Sequence, residues 1–228
     1  MSFQIFAPDL MHPVKGILFD MDGLILDTEK LYSRFWQEAC ISLGYPMTRE
    51  QALTMRALNS QAGEANLKRF FGPDIDYQQV RSCRIRRMDA YIEEHGVDPK
   101  PGAQELLAYL NQKNIPAALA SSSPRERIAA YLTPLGLYSF FRVICSGHEV
   151  PHGKPEPDIF LHAAAQLDLD PKNCMVLEDS PAGILSAHRA GCMPMMIPDL
   201  DGPDEETKKL LYAQGDSLLD VIDLLEKA

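Results

Sequence analysis

Five short apolar runs, each ending abruptly in small or acidic residues, constrain this chain most: VKGILFD at 14–20, PAALASSS at 116–123, FRVICSG at 141–147, NCMVLEDS at 173–180 and MPMMIPD at 193–199. Runs of this length, apolar throughout, suit strands buried on both faces of a sheet. Helix-period stretches lie between them at 105–111, 125–132, 158–167 and 182–190; in the third, Ile159, Phe160, Ala163, Ala164 and Leu167 share one side. Strand and helix thus alternate from about residue 100 onward, which predicts an α/β fold, a Rossmann-like parallel sheet flanked by helices.

Residues 30–96 break the alternation with a long helical stretch that holds no strand-like run, and Pro99 and Pro101-Gly102 mark its end. The expected organisation is a Rossmann-like catalytic core of 14–29 and 97–228 with a helical cap domain inserted at 30–96. A length of 228 residues suits a core with a smaller insert better than two full domains.

The charge balance removes whole classes of partner. Lys plus Arg total 22 against 32 for Asp plus Glu, a net charge of −10 that repels nucleic-acid backbones and anionic membranes. No segment approaches the roughly 20 apolar residues needed to span a bilayer, and MSFQIFAPDLMHPVKG lacks the basic start and apolar run of a secretory signal. Cys40, Cys83, Cys145, Cys174 and Cys192 are scattered and never form a CxxC pair, so they read as small buried apolar side chains in a reducing, cytoplasmic protein. A monomer or weak oligomer is expected.

In an open parallel sheet, ligands bind outside the carboxyl ends of the strands. The residues that reach this edge are Asp20 and Asp22, Ser121, and Glu178 and Asp179, with Lys154 in the loop after the third run. Asp20-Met21-Asp22-Gly23 alone is an ordinary strand end with a turn; a second acidic pair closing another strand adds the needed weight. Carboxylates converging at one edge repel unless a cation neutralises them, and an all-oxygen set carrying a phosphate suits Mg²⁺. Lys154, restricted by Gly153 and Pro155, would stay charged among carboxylates and could neutralise a phosphoryl oxygen. Ser123 is expected to cap the helix that starts at Pro124, leaving Ser121 to donate its hydroxyl near a helix N-terminus that favours anions.

The motifs DMDGLILDTE at 20–29, ASSS at 120–123, GKPEPD at 153–158 and LEDSPAG at 177–183, in this order, resemble those of the haloacid dehalogenase-like superfamily. The DTE and the helical insert resemble its subgroup with a small four-helix cap, which includes sugar-phosphate phosphatases, pseudouridine-5′-phosphatases and β-phosphoglucomutases. The resemblance implies a phosphatase acting on a small phosphorylated metabolite, a sugar phosphate or nucleotide-like ester, through an aspartyl phosphate. Asp20 would be the nucleophile and Asp22 the acid and base; Asp20, Asp22, Glu178 and Asp179 would hold Mg²⁺; Ser121, Ser122 and Lys154 would hold phosphoryl oxygens. A dehalogenase would lack the second aspartate, so Asp22 favours phosphorus chemistry.

A phosphosugar mutase is the alternative, against which Tyr32 stands where the mutases carry a histidine and Ser60 near their cap arginine. Tyr32, Arg56 and Asn59 are the cap residues expected to influence selectivity. Arg81, Arg84 and Arg87 fall on one helical face with Arg86 nearby; the cluster is the other place in the insert where a substrate anion could bind, but the expected reading is a solvated basic surface balanced by Glu93 and Glu94. A phospho-aspartate receiver would place its phosphoacceptor at the end of the third run, which here is Ser146-Gly147, and needs no insert. A catalytically inactive binding relative is disfavoured because every residue of the set is present.

Overall fold

The first apolar run becomes a central strand with every residue buried, as its lack of polar alternation requires. The computed structural model describes residues 3–7, 13–56, 58, 60–199 and 202–227. Its strands are β1 (Gln4–Ile5), β2 (Gly16–Phe19), β3 (Ala117–Ser121), β4 (Val143–Ser146), β5 (Cys174–Glu178), β6 (Met193–Met196) and β7 (Ala213–Gln214). Its helices are α1 (Glu29–Ser42), α2 (Arg49–Leu53), α3 (Ser60–Phe71), α4 (Tyr77–His95), α5 (Ala103–Gln112), α6 (Arg125–Leu132), α7 (Asp158–Gln166), α8 (Pro181–Arg189), α9 (Glu205–Lys208) and α10 (Leu219–Leu225).

The sheet order is β1-β7-β6-β5-β2-β3-β4. Neighbours pair parallel except β1 with β7, so the sheet is mixed where the sequence pattern implied a parallel one. All five expected strands are present. β1 and β7 span two residues each, too short for any periodicity to reveal. After β2 the chain adds β3 and β4 on one side and then crosses to β5 on the other, a reversal of winding that opens a crevice at the carboxyl ends of β2, β3 and β5. Register aligns those ends: Phe19 pairs with both Leu119 and Leu177, and Ser121 with Ser146.

Leu18, Ala118, Ala120, Cys145 and Val176 present one sheet face to Ile159, Phe160, Ala163 and Ala164 of α7 and Ala187 of α8. Small side chains on the strands let these helices approach closely, and the bulk of Phe160 fills the layer. Cys40, Cys145, Cys174 and Cys192 are buried free thiols, while Cys83 is half-exposed.

The chain separates into two compact units, one formed up to Leu26 and from Pro99 onward, the other Asp27–Asp98. The second is built on α1 to α4, with Trp36, Ala39, Cys40, Leu67, Tyr77 and Val80 among its core residues. Thr48 opens α2 with a reciprocal capping box to Gln51, and Asp76 caps α4 by accepting from the Gln79 N–H at 2.9 Å. Among the described residues no helix is long and apolar enough to cross a membrane.

Candidate active site

Four residues from three segments bring charge to one point at the sheet edge. Asp20 follows β2, Glu178 ends β5, Asp179 follows it, and Lys154 arrives from the loop before α7. Lys154 Nζ donates to Asp20 Oδ1 at 2.5 Å, to Glu178 Oε1 at 2.7 Å and to the Ala120 carbonyl at the end of β3 at 3.0 Å. An ammonium has three hydrogens, so the side chain is fully used in tying three strands together. Its Nζ also lies over the Phe160 ring, 4.9 Å from the centroid.

Glu178 is 1% exposed. Its second oxygen, Oε2, accepts from the Ser180 N–H at 3.2 Å and the Ser180 hydroxyl at 3.0 Å. The Ser180 hydroxyl in turn accepts from the Gly183 N–H at 3.1 Å, capping α8 with Pro181 in its first turn. The sequence pattern did not single out Ser180 or Gly183. A Cβ on Gly183 would stand 1.9 Å from Glu178 Cδ, a clash visible only once the helix is placed against the strand end.

Burial pushes the Asp20 carboxyl up to about 7; Lys154 pulls it down, while Glu178 and Asp22 add to the rise. Burial also opposes the Lys154 charge, yet Asp20 and then Glu178 outweigh it and raise that pKa above the usual lysine value. The two partners of one ion pair therefore shift in the same direction, because two carboxylates share one lysine. We hold that Lys154 is charged and that the excess negative charge lies on the acids.

That excess is what a cation would answer. One carboxylate oxygen from each of Asp20, Glu178 and Asp179 lies within 4.8 Å of the others. The donors are all oxygens, which fits a hard divalent ion such as Mg²⁺. Of the three, Glu178 already has both oxygens engaged by Lys154 and Ser180.

Asp22 sits in a tight turn in which Gly23 has φ +81°, a left-handed conformation that suits glycine, and the Gly23 N–H donates to the Leu26 carbonyl at 2.9 Å. Asp22 Oδ2 accepts from the Ser123 hydroxyl at 3.4 Å. Ser123 is thus turned toward Asp22 and does not cap α6, whose N-cap is Pro124 without a side-chain bond. The expected serine cap is corrected: the Ser123 N–H donates to Ser121 Oγ at 3.1 Å, and this local turn uses the segment differently. Ser121 is buried, and by accepting there it keeps its own hydrogen for donation. Ser122 is exposed and makes no hydrogen bond to this cluster among the described residues.

In the helical unit, Tyr32 is half-buried and Arg56 donates through Nε to the Leu53 carbonyl at 2.9 Å. Asn59 lies outside the described residues. The expected solvated arginine face is also corrected. Arg84 is buried and Arg81 half-buried, and only Arg87 of the three is exposed.

The sequence profile of the family described as haloacid dehalogenase-like hydrolase matches residues 17–197. The chain belongs to that family. Within this haloacid dehalogenase-like family, a probable pseudouridine-5′-phosphatase of Drosophila melanogaster is 31% identical over 207 residues, 88% of this chain and 89% of the relative. The β-phosphoglucomutase of Bacillus subtilis is 29% identical over 184 residues, 78% of this chain and 80% of the relative. A family hydrolase from Deinococcus radiodurans, solved with bound phosphate and sodium, superposes with a TM-score of 0.75 at 28% identity, covering 94% of this chain and 96% of that one. The family and fold expected from the four motifs are therefore found, and the comparisons support a mutase no better than a phosphatase.

Proposed function

We propose that this hydrolase is a Mg²⁺-dependent phosphatase that cleaves small phosphate monoesters through a phosphorylated Asp20. The observation that carries the reading is the bridge from Lys154 to Asp20 and Glu178 beside Asp179, a nucleophile oriented by a fixed cation and set among spare carboxylates. Asp20 and Asp179, with the Asp22 main-chain carbonyl and Glu178 in support, would hold Mg²⁺, which would neutralise phosphoryl oxygens and keep the Asp20 carboxylate ionised.

The chain's own residues divide the remaining work. Asp20 Oδ2, opposite the oxygen held by Lys154, attacks phosphorus as the ester oxygen departs, and Asp22 gives that oxygen its proton. Water then attacks the aspartyl phosphate, Asp22 takes the water's proton, and inorganic phosphate and free Asp20 result. The Ser121 hydroxyl and Lys154 stabilise the equatorial oxygens, which is most of what phosphoryl transfer asks of a protein. Lys154 must share one of its three hydrogen bonds to do so.

Sugar phosphates and nucleotide-like esters are the substrate class, in line with the names of the relatives. The helical unit acts as a cap that selects among them, with Tyr32, Arg56 and Asn59 as contributors. A phosphate-release screen over sugar phosphates, nucleotides and pseudouridine 5′-phosphate tests the reading. Turnover should require Mg²⁺ and be poorly supported by Ca²⁺, whose geometry is looser. Undiminished turnover after exhaustive chelation, or no hydrolysis of any ester, would overturn it.

A further inference from the structure

Ser146 ends β4 and pairs in register with Ser121 at the end of β3. It is buried and has no role in the chemistry above, yet its hydroxyl is used twice. It donates to the Ser123 carbonyl at 2.8 Å and accepts from the His148 N–H at 3.2 Å, while the Ser146 N–H donates to Glu149 Oε2 at 3.1 Å. Glu149 is gripped in turn by Arg125 at the start of α6, whose Nε and Nη2 reach its two oxygens at 2.8 and 3.0 Å. Arg125 Nη2 also donates to the Ile144 carbonyl of β4 at 2.6 Å, so the strand end and the helix start are tied together.

Gly147 lets this tied corner press against the turn at 121–123: a Cβ there would lie 3.1 Å from Ser122 Cα, a backbone atom that cannot swing aside. Ser123 is buried and restrained on three sides. Its N–H donates to Ser121 Oγ at 3.1 Å, its carbonyl accepts from Ser146, and Pro124 disfavours helical backbone at the residue before it. What this fixed backbone presents is one hydroxyl, which donates to Asp22 Oδ2 at 3.4 Å. That contact is long for a hydroxyl, as contacts of catalytic groups often are before they tighten around substrate. A serine just ahead of a helix ordinarily caps it, but α6 has no side-chain cap. The local rule is broken in favour of Asp22, and breaks of this kind gather at functional positions.

We propose that Ser123, braced by Ser146, is a positioning residue for Asp22, fixing which carboxyl oxygen exchanges protons with the leaving group and then with the attacking water. Oδ2 is turned to Ser123, so the proton in transit belongs on Oδ1. Proton transfer needs the two heavy atoms within about 2.6–3.2 Å of each other, and a carboxyl that rotates offers the correct oxygen only part of the time. The inference rests on the phosphatase reading above. Attack by Asp20 on phosphorus does not pass through Ser123, so loss of the brace should show only where Asp22 acts.

Rapid quench with labelled p-nitrophenyl phosphate and labelled phenyl phosphate in Mg²⁺ tests this, because the first leaving group departs with little protonation and the second needs an acid. Ser123→Ala should phosphorylate Asp20 from p-nitrophenyl phosphate at the wild-type rate. From phenyl phosphate it should do so about three- to tenfold more slowly, the size one hydrogen bond implies, and it should lose label from Asp20 more slowly by a similar factor. The concentration dependence of the labelling burst should be unchanged for both esters, since binding is not touched. Ser123→Ala keeps its backbone bonds, and an unchanged Tm should verify the fold; Ser123→Thr, which keeps the hydroxyl, should recover most of the loss. Ser146→Ala should act in the same direction, and adding it to Ser123→Ala should make matters no worse, as expected of residues acting through one contact. Equal slowing with both esters, an undiminished Ser123→Ala, or equal losses in Ser123→Ala and Ser123→Thr overturns the proposal while the phosphatase reading stands. A wild type that never carries label on Asp20 overturns that reading and this inference with it.

Discussion

The carboxylate of Glu178 occupies the space where Gly183 lacks a side chain: a Cβ at Gly183 would lie 1.9 Å from both Cδ and Oε1 of Glu178. Glu178 cannot retreat without surrendering Lys154 on one oxygen and Ser180 on the other. Gly183→Ala should therefore cost roughly 1–3 kcal/mol by overpacking, a Tm fall of about 2–4 °C per kcal/mol for a chain of this size. Phosphate release should drop with it, because Lys154 loses its second anchor. A variant with native Tm and native rate would show that Glu178 does not sit against this helix turn.

Lys154 supports the fold as well as the chemistry. Its side chain is 9% exposed and holds two carboxylates, so Lys154→Met leaves buried acids unpaired. Removing one partner of such a group costs about 3–5 kcal/mol. The urea midpoint should fall accordingly in chelator, and Mg²⁺ should restore part of it by supplying the lost positive charge. A variant that loses turnover while keeping its midpoint would confine Lys154 to substrate contact.

How far the sequence led can be judged residue by residue. Periodicity and run length placed β2 to β6, because strands buried on both faces carry an unmistakable apolar signal. β1 and β7 escaped because two residues hold no period. The convergence of Asp20, Lys154, Glu178 and Asp179 followed from a topological rule about strand ends, which needs no coordinates. Gly183 and Ser180 lay within a motif but carried no separate signal, since their importance is a matter of contact distance. Arg84 is buried although the density of arginines around it suggests a solvated face: its i, i+4 relation to Val80 and Met88 is legible in the sequence and points inward.

The metal-free protein should become less stable as pH rises through the range where Asp20 titrates late. Its folded pKa, about 7, lies above the ordinary carboxylate value of 3.8, so between these limits the folded state holds a proton that the unfolded state has lost. Protons then bind the native state preferentially, and the Asp20 share of stability falls from about pH 4 to about pH 7. In chelator, Asp20→Asn should flatten that part of the profile, and saturating Mg²⁺ should flatten it in the wild type by favouring the ionised carboxylate. Identical profiles for wild type and Asp20→Asn in chelator would remove Asp20 as the source.

The division of labour between the two aspartates is open to a direct test. Asp20→Asn keeps the shape and removes the attacking oxygen, so phosphate release should fall to background with every ester. Asp22→Asn leaves the nucleophile in place beside Lys154, and an activated ester with a good leaving group needs little protonation to depart. That variant should take up label on Asp20 from a labelled activated ester and release it slowly, since the water that must attack next has lost its base. Rapid quench followed by peptide mapping should find label on Asp20 in Asp22→Asn and none in Asp20→Asn. Ser121 is the discriminating control, because its hydroxyl lies at the end of the strand beside β2 and is another potential nucleophile at that edge. Label on Ser121, or substantial turnover by Asp20→Asn, would reassign the covalent step.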